Sequence, residues 1–197
     1  LAPWGAPEEA IWVSGPDAVA ACAPADDDAP LPVVSRAFEE SGYVVLRNAD
    51  GDHAVFDTGP HGFHNAGHAH ADALALTLTL GRRPLLIDPG TSTYTMDGAL
   101  RDRLRSSASH NTITVDGRSP SVPAGPFHWH SRTDGRLEAW RRNSAFHFAE
   151  GAHDGNALLR HRRAIARIDD GSWFIADDID GAGPHTGAGY WDFGPAW

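Results

Sequence analysis

The sequence predicts an all-β fold, an antiparallel β-sandwich, and three observations predict it. Short segments alternate apolar and polar residues with period two, as half-buried strands do. Turn signals such as Asn48-Ala-Asp-Gly-Asp52 and Asp169-Asp-Gly171 separate them. From Val33 onward the local signals are nearly all of strand type.

Residues 1–32 stand apart. They are rich in Ala, Pro and Asp, as in Ala25-Asp-Asp-Asp-Ala-Pro-Leu-Pro32, and read as a lead-in or linker with one short helix near Pro7 to Trp12. The sandwich is expected over residues 33–197. Residues 43–47 and 53–57 flank the Asn48 turn and read as a hairpin. Residues 73–80 carry Leu74, Leu76, Leu78 and Leu80 in strict alternation and read as the next strand. Strands are also expected at 84–88, 112–116, 135–141 and 145–150. Residues 159–168 and 172–178 make a second hairpin around Asp169-Asp-Gly171. Leu1 in place of Met, with no leader behind it, suggests a fragment or processed chain. Tyr190-Trp-Asp-Phe-Gly-Pro-Ala-Trp197 ends abruptly after an aromatic run, so truncation is expected there too.

With 41% hydrophobic and 21% charged residues, 197 residues are enough for a domain with a sizeable core. No apolar run approaches the roughly 20 residues of a membrane span. The net charge of −10 argues against general binding to nucleic acid or anionic membrane. All 16 basic residues are Arg, whose planar fork suits carboxylate or sulfate, although codon bias accounts for the count as well. The single cysteine, Cys22, excludes an internal disulfide and a thiolate-rich zinc site.

The chemistry is concentrated in His68-Ala69-His70-Ala71-Asp72, and five of the twelve histidines lie between His53 and His70. On an extended backbone residues i and i+2 share a face, so His68 and His70 are expected to project together. Paired imidazoles suit metal ligation or proton transfer. Asp88 closes an apolar strand before Pro89-Gly90, and His110 enters the strand of Ile113. His70, Asp88 and His110 on three adjacent strands would make a zinc shell of N and O ligands. Each has a plainer reading. Asp88 also suits a turn former, His110 a capping residue, and Asp72 a carboxylate that orients a histidine. Tyr94 reads by default as edge packing, and Arg101, Arg103 and Arg105 as a solvated face. His-x-His-x-Asp also occurs in metallo-β-lactamase-like hydrolases, but there another His stands where this chain has Ala73. The His-x-His of amidohydrolase barrels needs βα repeats that this chain lacks.

Three stretches together resemble the heparinase II/III-like family of polysaccharide lyases: residues 67–74 (Gly-His-Ala-His-Ala-Asp-Ala-Leu), 84–94 (Pro-Leu-Leu-Ile-Asp-Pro-Gly-Thr-Ser-Thr-Tyr) and 105–117 (Arg-Ser-Ser-Ala-Ser-His-Asn-Thr-Ile-Thr-Val-Asp-Gly). The likeness covers roughly residues 35–195 and implies the family's β-sandwich domain. It implies one structural zinc on His70, Asp88 and His110, and a cleft-facing catalytic His68. It implies less strongly a catalytic Tyr94 and substrate contacts from Arg105 and Asn111. Complete members carry their principal catalytic residues in an N-terminal α/α-toroid domain, which this sequence lacks and against which the sandwich would pack. The piece alone is therefore expected to be inactive. The implied partner is an acidic, uronate-containing polysaccharide, with no nucleic acid or membrane, and the parent is expected to be periplasmic or secreted. The alternative is a non-catalytic carbohydrate-binding module, which the seven Trp would serve by stacking on sugars.

Overall fold

Arg36–Phe38 (β1), Tyr43–Arg47 (β2), His53–Asp57 (β3), Leu76–Leu80 (β4) and Arg83–Leu86 (β5) form a five-stranded antiparallel meander in that order. The computed structural model describes Gly15 and residues 33–156 and 159–195. The lead-in and short helix expected within residues 1–32 lie outside the described residues. All these strands belong to the second of the chain's two units, Val34–Trp197.

After β5 come one helix, Gly98–Leu104 (α1), and the short strands Ile113–Val115 (β6), Val122–Pro123 (β7) and Trp129–Ser131 (β8). Arg136–Arg142 (β9), Phe146–Asn156 (β10), Leu159–Ile168 (β11) and Trp173–Asp180 (β12) make a second antiparallel meander of four strands. Gly187–Gly189 (β13) returns to pair with β6, and β7 pairs with β8.

The two meanders share one core, which makes the fold an antiparallel β-sandwich. From the first come Val44, Leu46, Ala54, Phe56, Leu76, Leu78 and Leu86; from the second come Ala149 and Ile165, with Leu137, Trp140, Trp173 and Ile175 packed against them. Strand alternation accounts for this: Val44 and Leu46 of β2, and Ala54 and Phe56 of β3, face inward while their neighbours do not. Each fully buried Leu or Phe contributes roughly 1.5–3 kcal/mol.

Two expectations are corrected. The strand expected from residue 73 begins at Leu76, because Leu74 takes a left-handed backbone (φ 61°) while fully buried. The turn is held by hydrogen bonds from Leu74 N–H to Asp57 O (3.0 Å) and from Asp57 N–H to Ala75 O (2.9 Å). His68, His70 and Asp72 therefore sit on a loop before β4, and strand periodicity does not orient them. The Arg101, Arg103 and Arg105 stretch runs along and off α1, capped by Asp97, and its i, i+4 members Arg101 and Arg105 turn inward rather than to solvent.

Candidate metal centre and its cleft

The loop before β4 and the segment before β6 bring one donor atom each of His70, Asp72 and His110 within 4.8 Å of one another. His110 is completely buried, and its ring lies 5.1 Å from that of His70. Its Nδ1 is 2.7 Å from Asp88 Oδ2, while Asp88 Oδ1 accepts the Gly90 N–H at 2.8 Å. Asp88 thus forms the turn and reaches the imidazole together. The remaining nitrogen of His110, Nε2, is buried without a hydrogen-bond partner. A ligand, an ion or a water would satisfy such an orphan.

The two imidazoles shift in opposite directions. Burial lowers the pKa of His70, and the nearby His110 lowers it further, so its imidazole favours the neutral form that binds metals. Burial, the largest single influence, would also lower His110, but the hydrogen bond to Asp88 together with the charges of Asp72, Asp88 and Asp192 outweighs it and the net shift is upward. For Asp88 burial pushes up, yet the hydrogen bond and charge of His110 prevail and hold it below the usual carboxylate range. An imidazole and a carboxylate, each shifted toward its charged form, sit beside a neutral imidazole and a second carboxylate.

The supporting bonds are local and numerous. Ala71 N–H donates to Arg105 O (2.8 Å), and the Ser107 hydroxyl donates to Ala71 O. Thr112 Oγ1 donates to Ala73 O at 3.0 Å. Asn111 is 1% exposed: its Nδ2 donates to Leu76 O (2.9 Å) and Ile87 O (2.8 Å), and its Oδ1 accepts from Asp192 N–H (2.7 Å). Asn111 therefore ties β4 to the segment of Asp88 and does not line the cleft. Arg105, also 1% exposed, pairs with Asp102, donates to Gly125 O (2.7 Å) and lies over the Trp129 ring. Both were expected to touch substrate, and the structure places both inside the fold.

Beside the cluster opens a cleft of about 580 Å³ whose lining includes Asp57, His61, His64, His68, His70 and Asp72. His68 is exposed, edge-on to Tyr94 (5.4 Å) and near Phe127 (5.8 Å), which stack on each other at 5.8 Å. Arg101, 2% exposed, underlies them: its guanidinium is 4.7 Å from the Tyr94 ring and donates to Pro126 O (2.7 Å) and Gly67 O (3.0 Å). Burial pushes the Asp57 carboxyl up to about 6. This wall can exchange protons and stack against an apolar ring face.

The sequence profile of the heparinase II/III-like, C-terminal family matches residues 31–197. The chain belongs to this family. Among solved structures it is similar to the heparan sulfate lyase HepC from Pedobacter heparinus, with TM-score 0.68 and 18% identity, over 94% of this chain and 26% of that one. The heparinase III BT4657 gene product aligns with TM-score 0.64 and 22% identity, over 78% of this chain and 23% of that one. Another heparinase III aligns with TM-score 0.62 and 20% identity, over 76% of this chain and 23% of that one. This chain spans about a quarter of these structures, and at such identities the likeness is one of fold. No curated protein matches.

In this heparinase II/III-like domain the three sequence motifs meet, His70 and His110 ring to ring and Asp88 on His110. The sequence did not single out Arg101 and Phe127 beneath His68, or the buried His153, His161 and Arg163 with the partly exposed Asp177. For the latter a signal existed. His161 and Arg163 share the inward phase of β11 with Leu159 and Ile165, where polar side chains need a reason.

Proposed function

We propose that this domain forms one wall of the cleft of a polysaccharide lyase that cleaves uronate-containing polysaccharide by β-elimination. We propose further that one structural zinc ion is held by His70, Asp72 and Nε2 of His110, while Asp88, the carboxylate expected from the sequence, orients His110 from Nδ1. The observation that carries the reading is the buried, unpartnered Nε2 of His110 beside the neutral imidazole of His70. The cation would supply fixed positive charge that binds the loop before β4 to the start of β6, with the end of β5 held through the Asp88–His110 bond.

Elimination removes the proton at C5 of the uronate, and its electron pair becomes the C4–C5 double bond. The C4–O bond breaks, and the departing oxygen takes a proton. His68 is the exposed imidazole of the cleft and stands where it can receive or return a proton. Tyr94, stacked on Phe127 over Arg101, offers a second hydroxyl-bearing ring at the same rim. The group that offsets the uronate carboxylate has no counterpart among these residues, and the helical domain would supply it. The names of the similar structures, lyases of heparan sulfate among them, support the substrate class.

The test uses the full-length parent on uronate polymers, followed by ultraviolet absorbance of unsaturated ends, with this chain alone as control. Release by the parent, none by the chain, and loss on His68→Ala is the expected result. A parent that binds polymer yet releases no unsaturated ends is a carbohydrate-binding protein, and the lyase reading fails.

A further inference from the structure

Arg163 is completely buried in the middle of β11, at an inward position that would otherwise take an aliphatic residue. Its charge is met on β12 by Asp177, with Nε 2.8 Å from Oδ1 and Nη2 2.9 Å from Oδ2. That fork leaves Nη1, which reaches across to the other layer. It donates to Leu74 O at 3.0 Å and to Asn111 O. Leu74 follows Asp72 by two residues, and Asn111 follows His110 directly. One nitrogen thus holds a carbonyl from each of the two segments that carry the cluster.

A chain of bonds fixes Asp177 in turn. Gly155 N–H donates to His153 Nδ1 (3.3 Å), so His153 carries its proton on Nε2 and donates to His161 Nδ1 (3.2 Å). His161 Nε2–H then donates to Asp177 Oδ1 at 2.7 Å. One tautomer of each ring satisfies every atom in the series. Burial pushes His153 down to about 3, which keeps it neutral as this series requires. Trp191 covers the guanidinium, 5.2 Å from its ring centroid.

We infer that Arg163 is a positioning residue for the metal centre, setting the separation of His70 from His110 by holding Leu74 O and Asn111 O on a single nitrogen. The functional meaning rests on the cation reading proposed above; the clamp itself rests on the bonds. Without Arg163 both carbonyls lose a buried donor, and the two segments are left joined by bonds such as Thr112 Oγ1 to Ala73 O and Asn111 Nδ2 to Leu76 O.

The experiment compares the wild-type chain with Arg163→Met, Arg163→Lys and a core truncation on β2, Leu46→Ala, as a control for lost stability. Hydrogen exchange is read at residues 70–75 and 109–112 without metal, and affinity is read with cobalt(II). Arg163→Met should speed exchange in both segments about tenfold or more beyond Leu46→Ala. It should also weaken cobalt binding roughly 10–100-fold, as loss of an orienting group does. Arg163→Lys keeps the charge but cannot serve a forked carboxylate and two carbonyls together; it should show the same defects in smaller degree and stands in if the Met variant does not fold. Exchange no faster than in Leu46→Ala overturns the clamp. A wild type that binds no cobalt overturns the cation reading instead, and the exchange result then decides the clamp by itself.

Discussion

His161 and Asp177 stand 2.7 Å apart, and so do His110 and Asp88. Around the first pair the hydrogen bonding closes. His153 takes the other nitrogen of His161, and Arg163 neutralises Asp177, whose carboxyl is driven down to about 2 by its bonds to His161 and Arg163 although burial pushes it up. Around the second pair it does not close. His110 Nε2 is buried without a partner, and a half-buried imidazole and a second carboxylate converge on the same place. A closed buried network specifies and stiffens a fold, whereas an open one marks a place where something else is meant to bind.

The largest expected effect comes from breaking the closed pair. Arg163→Met removes the main partner of the partly exposed Asp177 and the buried donor of Leu74 O and Asn111 O. It should cost about 2–4 kcal/mol, or roughly 10 °C in melting temperature. His110→Gln in the metal-free chain removes a pair already incomplete and should cost only about 0.5–1.5 kcal/mol. Thermal unfolding of the two variants checks this, and equal losses would erase the distinction.

Acid sharpens the same contrast. The folded chain keeps His153 neutral down to about 3, whereas the unfolded chain protonates it below its ordinary value of 6.5. The unfolded state then binds more protons, so stability falls as pH drops from about 6.5 toward 3. Asp177, still ionised in the folded chain down to about 2, adds a further loss of roughly 2 kcal/mol as pH falls below about 4. Asp57, raised to about 6, takes up its proton first in the folded chain and offsets much of this loss between about 6 and 4. The test is therefore a comparison: in urea unfolding at stepped pH, His153→Gln should lose less stability than wild type between about pH 7 and 4. A profile unchanged by that substitution would show that the closed network does not govern acid stability.

A smaller effect is expected where the two halves touch. Gly151 of β10 lies opposite Arg163, and an added Cβ would sit 2.5 Å from Thr58 Cγ2 and 2.8 Å from Leu74 Cδ2. Gly151→Ala should cost about 1–3 kcal/mol and weaken cation binding by displacing Leu74. Isothermal titration with zinc and chemical unfolding measure the two. At the finest level, Asp72→Asn should abolish cation binding, and Asp88→Asn, which loosens His110, should weaken it roughly 10–100-fold. The reverse order would make Asp88 the ligand and Asp72 an accessory carboxylate.

Much of the fold was legible because strands advertise themselves by alternation. Tyr43–Arg47, His53–Asp57 and Leu159–Ile168 have the boundaries that their patterns predict. The start of β4 was misplaced because the Leu74 side chain keeps the alternating pattern while its backbone turns left-handed. Helix α1, at seven residues, is too short to show a period. At the site, His70, Asp88 and His110 were found through motifs. Arg105 and Asn111 were read as cleft residues because local sequence does not reveal that their partners are carbonyls and amides distant along the chain, such as Gly125 O and Asp192 N–H. Arg163 went unnoticed for the same reason: its meaning lies in Leu74 O and Asn111 O, both far from β11 in sequence.

Elemental analysis of the purified chain tests the open pair most directly. About one zinc per chain, lost in both His70→Ala and His110→Ala, is the result predicted. A metal-free wild type whose melting temperature does not move when zinc is added would contradict it.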